Sequence, residues 1–327
     1  MTRGRVGRLL LALLGAQSGL LLFEVLLRIA GFSYVPLRIK TQNYSDWRNY
    51  HAFEDQDFRG DSRLLWAPIP GHVPFNAQGY RGALMAVPKP KGEFRVFAVG
   101  DSNTLGWFGE KGPNWPASLE ALARSGSAAV RVVNAGVWGY SSFQGVRRLE
   151  DMSRFDPDLV LVSFGSNDAH QVTRADRDWA ASPVRVSVWE WGLTYSRVGN
   201  LVLCASDAWR KIDNHTLVPR VSLAEYRQNL GAMVDLCKTR KATVVLLTRP
   251  FTGQAEDPLS WKRRAPEYNA VVRDICRARG LRTVDLYEAF RNRPELFHDE
   301  SHFTDVGHEA AARIIHQAIR DLLPARP

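Results

Sequence analysis

From Phe94 onward the chain alternates short β-branched apolar runs with longer segments whose apolar residues recur every third or fourth position. The first pattern is that of strands buried on both faces, and the second that of helices with one buried face. Strands are therefore predicted over 94–99, 130–134, 158–164, 242–248 and 281–285. Helical spacing joins Trp115, Leu119 and Leu122; Phe143, Val146 and Leu149; Tyr226, Leu230, Met233 and Cys237; Tyr268, Val272 and Ile275; and Ala311, Ile314, Ala318 and Leu322. Five strands, each followed by a helix, imply an α/β fold: a three-layer, doubly wound sheet of about five parallel strands in a flavodoxin-like arrangement. Residues 94–327 form this predicted domain. The stretch 169–221 breaks the rhythm, because a βα connection needs only a few residues, and it is predicted to be a cap-like insertion overhanging the carboxyl end of the third strand. Its Trp179, Trp189, Trp191, Tyr195 and Trp209 suit three roles: the core of a helical cap, stacking on a sugar, or contact with lipid headgroups.

The pattern before Phe94 is different. Residues 9–32 are almost uniformly apolar over the length a helix needs to cross a bilayer, and Arg3, Arg5 and Arg8 precede them. Positive charge on the short leading side predicts a single-pass anchor with residues 1–32 as cytoplasmic end and span, and everything after it periplasmic or extracellular. A cleaved signal peptide is the rival reading, but the apolar run resumes at Leu20 after the only small-residue stretch, 16–19, and no Ala-x-Ala site follows. Glu24 and Arg28 are spaced to pair at i,i+4 near the outer interface. Residues 33–93, rich in proline and glycine, predict an irregular spacer with short strands.

Composition narrows the function classes. The 327 residues are 45% hydrophobic and 10% aromatic, ample for a buried core. The net charge of +9 comes from scattered arginines with no basic run interleaved with aromatics, so no nucleic-acid partner is expected. Three cysteines, Cys204, Cys237 and Cys276, are too few and too far apart for a disulfide framework or a zinc site, and the last two fall on apolar helix faces as buried thiols.

The chemistry lies at the strand ends. Gly100-Asp101-Ser102-Asn103 follows the first strand, which places a serine hydroxyl at the mouth of the sheet, where the crevice of an open parallel sheet opens. Ester cleavage by a serine needs a base, a group to orient that base, and donors aimed at the developing oxyanion. Asp299 precedes His302 by three residues, a spacing that lets the carboxylate hold one ring nitrogen while the other faces Ser102. Gly136 and Gly139 follow Asn134 at the end of the second strand, where a glycine lets a backbone N–H approach a substrate oxygen, and Asn167 after the third strand offers a side-chain amide. Asp101 and Asp168 have plainer roles, capping a turn and tying loops through backbone hydrogen bonds. His298, His302 and His308 lack the fourth ligand of a metal site, so neither metal nor cofactor is expected.

In order and spacing these four segments resemble the four blocks of the SGNH (GDSL-like) hydrolase superfamily, over Phe94 to about Leu323. The resemblance implies Ser102 as nucleophile, with Asp299 and His302 completing the triad. It implies an oxyanion hole formed by the backbone N–H of Ser102, Gly139 and the amide of Asn167. Asn103 stands where leucine is usual, at a position whose side chain need not touch the reaction. The span followed by Asn76-Ala-Gln-Gly79-Tyr-Arg-Gly82 is similar to membrane-tethered members of bacterial envelopes. The function implied is a membrane-anchored serine esterase that hydrolyses a short O-acyl ester such as acetyl, on an acyl-ester substrate that includes glycans. An O-acyltransferase would use the same triad, and a non-catalytic glycan-binding or scaffold protein would keep the fold without it.

Overall fold

A computed structural model of the chain describes residues 3–34, 58–106, 113–126, 129–172, 174–181, 188–209, 217–254 and 260–324. Residues 35–57 of the predicted spacer and parts of the predicted insertion, with the Trp191 side chain, lie outside the described residues.

Two short strands, β1 (Phe58–Asp61) and β2 (Leu65–Pro68), pair antiparallel ahead of the main sheet. Then follow β3 (Phe94–Gly100), β4 (Val130–Asn134), β5 (Leu159–Ser163), β6 (Gln171–Val172), β7 (Val218–Pro219), β8 (Thr243–Leu247) and β9 (Arg282–Val284). The main sheet runs β4-β3-β5-β8-β9 with every pair parallel, the five predicted strands in the flavodoxin-like order.

Alternation along the strands builds two cores. In β3, Phe97 and Val99 point into one face and Val96 and Ala98 into the other, all fully buried. The first face is covered by the helices Ser142–Met152, Leu223–Thr239 and Ala265–Arg279, and the second by Trp115–Gly126 and Asp305–Ile319. Cys237 and Cys276 sit in the first core as free thiols, and burial pushes the Cys237 thiol up to about 12, so it is unreactive.

Residues 58–93 do not stand off the domain as a spacer would. Phe58, Leu64, Trp66, Phe75, Tyr80 and Met85 are buried in the first core, with Tyr80 packed edge-on against Phe97 and Phe155. Proline and glycine make this segment irregular, yet its aromatics carry it into the core, and aromatics this far apart leave no periodic signal in the sequence.

The apolar amino-terminal segment forms one helix, Arg3–Ile29, of which Leu11–Ile29 is long and apolar enough to cross a membrane. Its side chains are almost wholly exposed, with Leu21 at 68% and Ile29 at 78%, unlike those of a core helix.

Candidate active site

The site forms where the strand order reverses, between β3 and β5, with the loops after β4 and β9 closing over it. Gly100 ends β3, and a side chain there would meet the Ser163 carbonyl at 2.8 Å, so only glycine lets the chain turn this tightly beside β5. Asp101 then caps the short helix Ser102–Leu105 by accepting from the Asn103 N–H. That turn presents Ser102 to the crevice.

Ser102 Oγ lies 2.8 Å from His302 Nε2, and His302 Nδ1 lies 2.6 Å from Asp299 Oδ2. Burial disfavours the Asp299 carboxylate, but hydrogen bonds from the His302 ring and from the backbone N–H groups of Ser301 and His302 outweigh it and hold the carboxyl well below the usual range. An ionised carboxylate only accepts, so Nδ1 carries the hydrogen and Nε2 is left to accept from the Ser102 hydroxyl.

Gly139 and Asn167 line the same cavity as Ser102, Asp299 and His302, so the structure brings all five predicted residues together. Asn167 donates one amide hydrogen to the Tyr140 carbonyl at 3.0 Å, which fixes the amide and leaves its second N–H. Gly139 has φ +69°, and a Cβ on it would stand 3.1 Å from the Trp66 ring. Asp168 turns inward, accepting from the backbone N–H groups of Ser142 and Gly165, and so ties two loops rather than facing substrate.

Several residues that hold the site have no role there from the sequence. The Trp66 indole N–H donates to the Trp138 carbonyl at 3.0 Å. In a trans peptide the carbonyl and the following N–H point opposite ways, so this bond turns the Gly139 N–H away from Trp66. Arg220 donates to the Gly139 carbonyl at 2.8 Å and is itself held by Asp176, both side chains fully buried. Arg81, from the Gly79-Tyr-Arg-Gly82 stretch, donates to the carbonyls of Leu105 and Gly106 and closes the carboxyl end of the serine helix. Asn103 is also more than a tolerated substitution: its amide donates to the Ser301 carbonyl at 2.9 Å and accepts from the Phe303 N–H at 3.3 Å, gripping both sides of His302. Arg249 bridges Asp101 and the Ser301 carbonyl, joining the serine turn to the histidine loop a second time.

The cavity is small, about 200 Å³, and is walled by Trp138, His170 and Trp261. Desolvation, reinforced by nearby Arg220, pushes the His170 imidazole down to about 3, so this wall is uncharged. None of the insertion's aromatics whose side chains are described lines this cavity, so the sugar-stacking role, one of the three the sequence leaves open, is not placed there by them. Trp179 is buried under Arg174, while Trp189, Tyr195 and Trp209 are 83%, 76% and 89% exposed. The insertion's helices Val188–Leu193 and Arg197–Trp209 pack on each other, and the second also packs on the amino-terminal helix. Among the described residues no cluster of His, Cys, Asp or Glu has the makings of a metal site.

The family model for GDSL-like lipase/acylhydrolases matches residues 98–310. No curated protein shows a significant match to the chain. Among solved structures, the lipase/acylhydrolase from Enterococcus faecalis shares 23% identity, with 72% of this chain and 99% of that one covered and a TM-score of 0.51. A GDSL-like lipase from Bacteroides thetaiotaomicron shares 20% identity over 73% and 93% of the two chains, with a TM-score of 0.47. An acetylxylan esterase from Geobacillus stearothermophilus shares 23% over 70% and 96%, also at 0.47. With the parallel sheet and the family match spanning most of its main domain, the chain belongs to the GDSL-like lipase/acylhydrolase (SGNH) family of ester hydrolases.

Proposed function

We propose that this protein is a membrane-anchored serine esterase that removes a short acyl group, acetyl in size, from an O-acylated alcohol, with its catalytic domain outside the cytoplasm. Ser102 Oγ attacks the ester carbonyl as His302 Nε2 takes its proton, and the same imidazole returns that proton to the leaving alcohol. Water then attacks the acyl-enzyme, giving up a proton to His302, and the acid leaves as Ser102 recovers its hydrogen. Asp299 holds the ring in the required tautomer. The N–H groups of Ser102 and Gly139 and the Asn167 amide receive the oxyanion.

The observation that carries this reading is the unbroken relay at 2.8 and 2.6 Å from Ser102 through His302 to Asp299. The cavity's small size, below the roughly 300 Å³ at which drug-sized ligand sites begin, supports a short acyl group. Trp138 and Trp261 among its lining residues suit a sugar as the alcohol. Arg3, Arg5 and Arg8 ahead of the apolar helix support the outward orientation.

Full-length protein in detergent should cleave p-nitrophenyl acetate faster than the long-chain esters. With an acetyl donor and oligosaccharide acceptors it should release mostly free acetate. Preference for long chains would refute the short-acyl assignment, and acetylated sugar as the main product would make the protein an O-acyltransferase using the same triad.

A further inference from the structure

The insertion meets the amino-terminal helix through specific polar bonds. Glu24 accepts from the backbone N–H groups of Arg197 at 3.0 Å and Val198 at 2.9 Å, so its carboxylate caps the start of the helix Arg197–Trp209. Further along, the Tyr34 N–H donates to Asn200 Oδ1 and the Tyr34 hydroxyl to Asp207 Oδ2. The amino-terminal segment thus holds the insertion helix from two places, Glu24 within its helix and Tyr34 beyond it.

What the insertion helix shows to solvent is unusual. Its exposed positions are Val202, Ala205, Ala208 and Trp209, with no charged residue among them, while its one acidic group, Asp207, is buried. A surface helix of a water-soluble domain shows a polar face. Exposed Trp189 and Tyr195 extend the same apolar character across the preceding turn. Depth agrees with composition: Glu24, which holds the helix start, lies five residues before Ile29, the end of the apolar window, so at 1.5 Å per residue it sits about 8 Å inside that end, while Tyr34, which holds Asn200 and Asp207, lies just beyond it. Interfacial helices bury their apolar face to a depth of about 5–10 Å, with tryptophan and tyrosine at the headgroup level.

We infer that the insertion is a membrane-seating element: the helix Arg197–Trp209, with Trp189 and Tyr195, lies in the headgroup layer of the bilayer, locked to the spanning helix through Glu24. This rests on the anchor reading given above. The insertion leaves the domain through β6, directly after His170 of the cavity wall, and returns through β7, its partner strand. Seating it therefore ties the catalytic cavity to the membrane surface, and favours esters displayed there over those free in solution.

The test uses the full chain in phosphatidylcholine vesicles whose acyl chains are brominated near the headgroup, since bromine quenches only nearby indoles. Wild-type tryptophan fluorescence should be quenched relative to unbrominated vesicles. The double variant Trp189→Phe/Trp209→Phe should lose most of that quenching while keeping its ester turnover. Equal quenching in both proteins, with the chain still co-floating with vesicles, would overturn the seating and leave the anchor standing. Failure to co-float would instead remove the anchor and the seating with it. Co-floating without quenching, accompanied by crosslinked dimers, would give the apolar face to a second copy and overturn the membrane assignment.

Discussion

Asn103 grips the peptides on both sides of His302 through a bond that spans 198 residues of sequence. Ser102, Asp299 and His302 announce themselves because each sits in a short local motif, whereas a contact of such separation leaves no trace in spacing or periodicity. Replacing Asn103 with leucine, the usual residue there, removes both bonds while keeping the side chain's approximate size. Asn103→Leu should lower kcat about tenfold with KM nearly unchanged, because misplacing the base affects the transition state more than substrate binding. Full activity would return Asn103 to a bystander. The Asp299 carboxyl gives a second expectation. Its pKa is depressed, so it stays ionised from well below the usual carboxylate range upward. The pH profile of log kcat/KM should then carry no step from Asp299 in the ordinary aspartate range, at about pH 4. A step there, absent from the same profile in Asp299→Asn, would mean that the carboxyl titrates at its ordinary value.

At the scale of elements, the five sheet strands were legible because a doubly buried strand is a plain apolar run, and the structure shifts their ends by at most one residue. The segment 58–93 was not, since its fit depends on single aromatics reaching into a core built by residues far along the chain. Trp66 is the sharpest case. Trp66→Phe keeps most of the ring but deletes the N–H that donates to the Trp138 carbonyl, losing a part-buried hydrogen bond worth about 0.5–1.5 kcal/mol. It should also release the Gly139 peptide, so kcat should fall further than stability accounts for when measured on the folded fraction. Unchanged kcat in folded protein would reduce Trp66 to packing. The Asp176–Arg220 pair behaves differently because both partners are fully buried. Asp176→Ala should destabilise the protein by about 3–5 kcal/mol in denaturant unfolding, by stranding the Arg220 charge. A loss under 1 kcal/mol would show that water reaches the arginine, by the same reasoning about exposed charge.

For the whole molecule, the central claim is that the proposed anchor, the segment 58–93 packed on the core, and the hydrolase domain with its internal insertion together serve a serine esterase. The sequence carried the catalytic blocks and the apolar span openly. It hid the link between them, because Glu24 looks from sequence like an i,i+4 partner of Arg28 alone, while in the structure it bonds Arg28 and the insertion helix together. The proposed topology rests on the arginines at the start of the apolar helix: a tag at the carboxyl end of the full chain in bacterial cells should be open to protease from outside the inner membrane, and a protected tag would invert the orientation. The most direct measurement takes the full-length protein, treats it with a serine-directed phosphonate ester, and locates the adduct by peptide mass spectrometry. The account predicts one adduct, on Ser102, formed in step with loss of ester turnover, and neither adduct nor turnover in folded Ser102→Ala. Normal turnover in that variant, or inactivation with the adduct on another residue, would contradict it.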